Sequence, residues 1–160
     1  MENRDRQKFA IDAYIAIEEY IARLYKVYAD KYPEHREFWS ALSEEEIGHA
    51  QLLRIFFKKV EEGLALFNER RFRVDAMKTL WDYISGLIAD AKEQKMRPAA
   101  AFYMALDLEN SLLEKDMYRV FEVDSIELKK VLQALHTSTG EHRDRIREKW
   151  LQVKSRDSAH

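Results

Sequence analysis

Ser43-Glu44-Glu45-Glu46-Ile47-Gly48-His49-Ala50 sets a carboxylate and an imidazole three residues apart, inside a row of large apolar residues: Trp39, Leu42, Leu53, Phe56, Phe57 and Val60. That row recurs at three- and four-residue spacing, the period of one helix face. At about 100° of helix per residue, Glu46 and His49 continue the apolar row instead of facing away from it. Positions i and i+3 are neighbours on a helix surface, so a single helix can offer both groups to one ion. Chance makes such pairs in many Glu-rich helices. This one gains weight from what the other helices carry.

Working outward, four long helices are expected, with a shorter one between the second and third. The first spans about Arg6 to Lys31, with Ile11, Tyr14, Ile15, Ile21, Ala22, Tyr25 and Tyr28 on its apolar side. Pro33 suits the first turn of the second helix, which runs to about Val60. Gly63 and the polar stretch Asn68 to Arg73 break the pattern, and a shorter amphipathic helix follows from about Ala76 to Gln94. Met96, Arg97 and Pro98 open the third long helix, striped by Phe102, Ala105, Leu106, Leu112, Leu113, Met117 and Val120. Asp124 and Ser125 are N-caps for the fourth, which carries Leu128, Val131, Leu132, Leu135, Ile146 and Trp150. No strand pattern is evident. Short links make two antiparallel hairpins, and residues 62–97 form the crossover between them, one of the connectivities a four-helix bundle allows. The expectation is one all-α domain over residues 1–154, with a polar tail over 155–160.

The stripes are interrupted where charge does not belong. Glu18 lies among Ile11, Tyr14, Ile21 and Tyr25. Glu109 lies between Ala105 and the Leu112–Leu113 pair, and His142 lies between Leu135 and Ile146, one turn after Ser138 and Thr139. Each interruption falls near the middle of its helix, and midpoints of similar-length antiparallel helices meet at one level. Glu18, Glu46, His49, Glu109 and His142 are therefore expected to converge in an apolar interior. An unpaired buried carboxylate costs several kcal/mol or takes up a proton. With no Lys at that height and Arg145 a turn away, one or two divalent cations are the economical counter-charge. Oxygen and imidazole donors without sulfur suit iron or manganese and also accept zinc.

Composition narrows the classes. Four glycines and two prolines against 46% hydrophobic and 35% charged residues favour long helices with short links. The formal charge of −2 gives no nucleic-acid footprint, with Arg70-Arg71-Phe72-Arg73 a local basic cluster in a connector. No cysteine is present, which removes disulfides, thiolate ligands and cysteine nucleophiles together. The charged N-terminus does not fit a secretory signal, and no apolar run reaches membrane-spanning length, so a cytoplasmic protein is expected.

The residues resemble the rubrerythrin-type branch of the ferritin-like superfamily over nearly the whole chain. Ile17-Glu18-Glu19-Tyr20-Ile21-Ala22-Arg23-Leu24-Tyr25 is similar to that family's first-helix motif, a ligating Glu with a Tyr seven residues later. Ser43 to Ala50 resembles its Glu-x-x-His-Ala motif, and Ala105-Leu106-Asp107-Leu108-Glu109 its third-helix ligand region. The resemblance implies a ferritin-like bundle that handles peroxide, dioxygen or ferrous iron at a di-iron centre, assembled as a homodimer or larger. It implies Glu18 and His49 on one iron, Glu109 and His142 on the other, and Glu46 bridging, with no catalytic residue beyond the ligands. Tyr25 could hydrogen-bond the ligand shell. Two departures stand out. Thr139 occupies the position where the family has a second bridging Glu, and Glu141 points about 100° away. The four cysteines of a rubredoxin module are also absent, so a peroxidase would need an external electron donor. Three functions stay open: peroxide- or dioxygen-dependent redox chemistry, metal carriage or sensing without turnover, and a structural bundle.

Overall fold

A computed structural model of the chain describes residues 3–68, 70–93, 95–115 and 117–158. It is all-α except for one short ribbon. Helices α1 (Asn3–Lys31), α2 (Arg36–Glu61), α3 (Val74–Glu93), α4 (Pro98–Lys115) and α5 (Ile126–Ser158) are joined by strands β1 (Ala65–Phe67) and β2 (Phe121–Val123).

Side-chain partners fix the helix directions. From Glu19–Arg54 through Ala22–Ser43 to Tyr25–Trp39, positions rise along α1 as they fall along α2, so the two are antiparallel. Tyr103–Trp150 and Glu109–His142 show the same for α4 and α5. Phe38–Lys149, Glu45–Arg145 and His49–Ser138 show it for α2 and α5. Tyr20–Trp81 and Lys31–Ala91 advance together, so the crossover helix α3 runs parallel to α1. Trp81 and Tyr83 could be read from sequence as a dimer surface or as a packing side. They pack: Trp81 lies on Tyr20, and Tyr83 donates to Asp107 of α4 at 2.6 Å.

The termini follow local chemistry. Pro33 does not open α2 directly; Pro33–His35 form a single 3-10 turn before it. At the other end of α2, Gly63 N donates to Val60 O and Leu64 N to Lys59 O, a Schellman closure with Gly63 at φ 78°. A Cβ at Gly63 would meet nothing within 4 Å, so Gly63→Ala should cost about 1 kcal/mol of conformational strain, measurable by chemical denaturation. Ser125 caps α5, its Oγ accepting from Leu128 N at 3.5 Å.

Three expectations change. Residues 65–67 and 121–123 pair antiparallel, Leu66 opposite Glu122, and tie the ends of α2 and α4 together. Both strands are too short for alternation to show, and the ring of Phe121 against Phe56 and Tyr14 holds β2 in place. Because the chain turns to make this ribbon, α4 ends at Lys115, and Val120 belongs to a 3-10 turn over 117–120. At the C-terminus, α5 continues to Ser158 through residues read as a loose tail. Asp116 and residues 159–160 of the tail lie outside the described residues. Among the described residues no helix is long and apolar enough to cross a membrane.

Toward one end of the bundle Trp39 is fully buried against Tyr25, Tyr28, Phe38 and Phe102. The interior then changes character one turn further along, where the polar residues begin.

Candidate metal centre

Glu18, Glu46 with His49, and His142 fall within a turn of the midpoints of α1, α2 and α5. Glu109 likewise lies within a turn of the midpoint of the shorter α4. All five are buried, Glu109 and His142 completely. The structure brings them together in two groups, Glu18–Glu46–His49 and Glu46–Glu109–His142, the ligand atoms of each lying within 4.8 Å of one another. Glu46 belongs to both. These buried carboxylate and imidazole clusters could hold metal ions.

The geometry around Glu46 is close to symmetric. His49 Nδ1 approaches its Oε2 at 3.1 Å, and His142 Nδ1 approaches its Oε1 at 2.9 Å. The same two nitrogens lie 3.7 Å from Glu18 and from Glu109. The imidazoles stack with centroids 5.2 Å apart and planes 16° from parallel. Each ring therefore turns Nδ1 inward and Nε2 outward. His49 Nε2 meets Ser138 Oγ at 2.8 Å, and His142 Nε2 lies 3.6 Å from Glu45. A hydrogen bond on the outer nitrogen, as Ser138 makes with His49, holds a ligating ring in one tautomer and orientation, whereas His142 Nε2 has no hydrogen-bond partner among the described residues.

Glu109 is held from one side. Tyr25 donates to its Oε1 at 2.5 Å, which places the α1 tyrosine beside the candidate ligands, while Oε2 has no hydrogen-bond partner. Burial, then the charge of Glu109, pushes the Tyr25 hydroxyl well above its ordinary pKa, so it stays a donor. Thr139 is buried in the same interior, but its hydroxyl donates to Leu135 O of its own helix at 3.0 Å, as helical threonines commonly do. Glu141 is exposed and takes no part. The centre offers five donors, not six.

Protons supply the counter-charge in the metal-free chain. Burial pushes Glu46 up to about 8, helped by the charges of Glu18 and Glu109, against the His142 hydrogen bond. Burial alone would lower both imidazoles, but their bonds to the carboxylates outweigh it and hold each at about 10. Each group thus keeps a proton in the folded chain where the unfolded chain has lost it. Stability of the metal-free protein must fall as pH rises, from the ordinary carboxylate range through about 8 for Glu46, and from the ordinary imidazole value through about 10 for the histidines. Denaturation at about pH 6 and about pH 8 should differ by at least about 2 kcal/mol, less stable at the higher pH. Divalent metal displaces these protons and should flatten the dependence.

The donor set fits a pair of divalent ions: anionic oxygens, imidazole nitrogens aimed inward, a carboxylate oxygen free of hydrogen bonds, and no sulfur.

Sequence reasoning missed the outer contacts. Arg145 looked like a nearby cation at a turn's distance. It forms a two-pronged pair with Glu45 at 2.9 and 2.8 Å, on the solvent side of His142. Glu45 adjoins Glu46 in sequence, and only the packing of α2 on α5 shows that it faces Arg145. His35, assigned no role, packs edge-on against Phe102.

Compared with known proteins, the chain matches no protein-family model, and no curated protein or solved structure matches it significantly.

Proposed function

We propose that this chain is a ferritin-like four-helix bundle of rubrerythrin type, which binds two irons and uses them to oxidise ferrous iron with peroxide or dioxygen, or to reduce peroxide. The observation that carries the proposal is Glu46, a buried carboxylate with one imidazole Nδ1 on each of its oxygens. That arrangement has one bridging group and two terminal pairs. Helix directions inferred from side-chain partners are compatible with the up-down-down-up course of such bundles. Homodimeric assembly and an external electron donor belong to the same proposal, as does a cytoplasmic location.

Glu18 and His49 would hold one metal, Glu109 and His142 the other, with Glu46 shared. Bound iron supplies the electrons exchanged with peroxide or dioxygen. The chain's own residues do the rest. Tyr25 keeps Glu109 oriented by donating to one oxygen, Ser138 fixes the ring of His49, and the fully buried Trp39 packs behind Tyr25.

Stopped-flow mixing of anaerobic, ferrous-loaded protein with hydrogen peroxide tests this. Ferric absorbance in the near ultraviolet should rise, with peroxide consumed in proportion and faster than by free ferrous iron. No acceleration over free iron would overturn the redox proposal. Thr139 favours a second proposal, a metal carrier or sensor without turnover: its hydroxyl is committed to Leu135 O, which leaves one bridging position without a carboxylate.

A further inference from the structure

The two imidazoles of the centre differ on their outer sides. His49 Nε2 meets a neutral hydroxyl, Ser138 Oγ, at 2.8 Å. His142 is completely buried, and its Nε2 has no hydrogen-bond partner among the described residues. A carboxylate stands just beyond that range, with Glu45 Oε2 at 3.6 Å.

Glu45 and Glu46 are adjacent on α2, so their side chains leave the helix about 100° apart. Glu46 enters the interior, while Glu45 is exposed and reaches across to α5. Arg145, one turn after His142, donates to both oxygens of Glu45 at 2.9 and 2.8 Å. That fork orients the carboxylate beside the ring without saturating it, because a carboxylate has about four acceptor positions. Both partners are half-exposed and have room to adjust. A shift of about half an ångström brings Oε2 within hydrogen-bond range of Nε2.

Ligand chemistry gives that shift a reason. An imidazole that offers Nδ1 to a cation carries its proton on Nε2. A buried N–H with no acceptor costs free energy. A carboxylate at that nitrogen satisfies the proton, fixes the ring and makes Nδ1 a stronger base toward the cation. Ser138 can give His49 only a neutral partner.

We infer that Glu45 is the positioning residue of the Glu46–Glu109–His142 metal position. It accepts the Nε2 proton of His142 when a divalent ion sits on Nδ1, and Arg145 holds its carboxylate at the ring. The inference rests on reading the five buried residues as a metal centre.

Zinc, which has no redox chemistry, is the probe, titrated into the full chain in competition with a chromophoric chelator. Glu45→Ala should weaken one of two zinc equivalents by about tenfold or more and leave the other within about twofold. Glu45→Gln, whose amide oxygen still accepts, should weaken it less. Glu44→Ala removes the adjacent exposed carboxylate and should leave both equivalents within about twofold. In a His142→Ala background Glu45→Ala should have no further effect, which a general charge or folding role would not predict. In zinc-loaded protein the proton resonance of His142 Nε2–H should move upfield in Glu45→Ala, as its hydrogen bond is lost. Two zinc equivalents of unchanged affinity in Glu45→Ala, or equal weakening by Glu44→Ala, would overturn this inference and leave the metal proposal standing. A parent chain that binds neither zinc nor ferrous iron would overturn both.

Discussion

Replacing Glu46 with alanine is expected to remove both metals at once. Either terminal group, Glu18 with His49 or Glu109 with His142, would keep only two protein donors, and the shared carboxylate would be gone. Elemental analysis of untagged protein loaded anaerobically with ferrous iron should fall from about two irons per chain to background. His142→Ala should behave differently, emptying the position on the α4–α5 side while the Glu18–Glu46–His49 group persists. A Glu46→Ala protein that still carries its full iron would mean the ions sit elsewhere. Thermal stability offers a second readout. Metal at about a thousand times its dissociation constant should stabilise the native chain by about 4 kcal/mol and leave Glu46→Ala unaffected.

Trp39→Ala should cost about 4 kcal/mol of folding stability, from lost burial and the cavity left behind. The residue is fully buried and touches four other aromatic rings drawn from α1, α2 and α4, so no single neighbour can collapse into the gap. The damage should extend to the metal centre, because Trp39 backs Tyr25, and Tyr25 holds Glu109. Trp39→Phe keeps most of the packing and should fold with a smaller loss. Equilibrium denaturation of the metal-free variants separates these effects. A Trp39→Ala protein as stable as the parent would show that the core does not depend on this cluster.

The five polar residues were legible in sequence because burial imposes a rule that charge breaks visibly. Glu18, Glu46, His49, Glu109 and His142 each fall on an apolar stripe of a long, strongly periodic helix. Helix midpoints then gave their common level without knowledge of any contact. Tyr25 read as part of the apolar stripe, and the resemblance alone set it, seven residues after Glu18, near the ligands; its bond to Glu109 was not legible.

What stayed hidden depends on distance in sequence. The β1–β2 ribbon joins segments of three residues, too short to carry a period, and it exists because Phe121 finds Phe56 and Tyr14. Ser138 gave a hint by its place one turn before His142, but its contact is with His49 on another helix. Glu45 and Arg145 sit on charged faces, where sequence alone cannot choose partners.

Thr139 marks the point where the resemblance and this chain part. A hydroxyl bonded to its own helix cannot replace a bridging carboxylate, so on the proposed reading two metals would share one protein bridge instead of two.

The central claim is that two metals lie side by side across Glu46. Anomalous scattering at the iron edge, from crystals of anaerobically iron-loaded protein, tests it most directly. The account predicts two peaks in the interior, one among Glu18, Glu46 and His49 and the other among Glu46, Glu109 and His142. A single peak, or none between these residues, would contradict it.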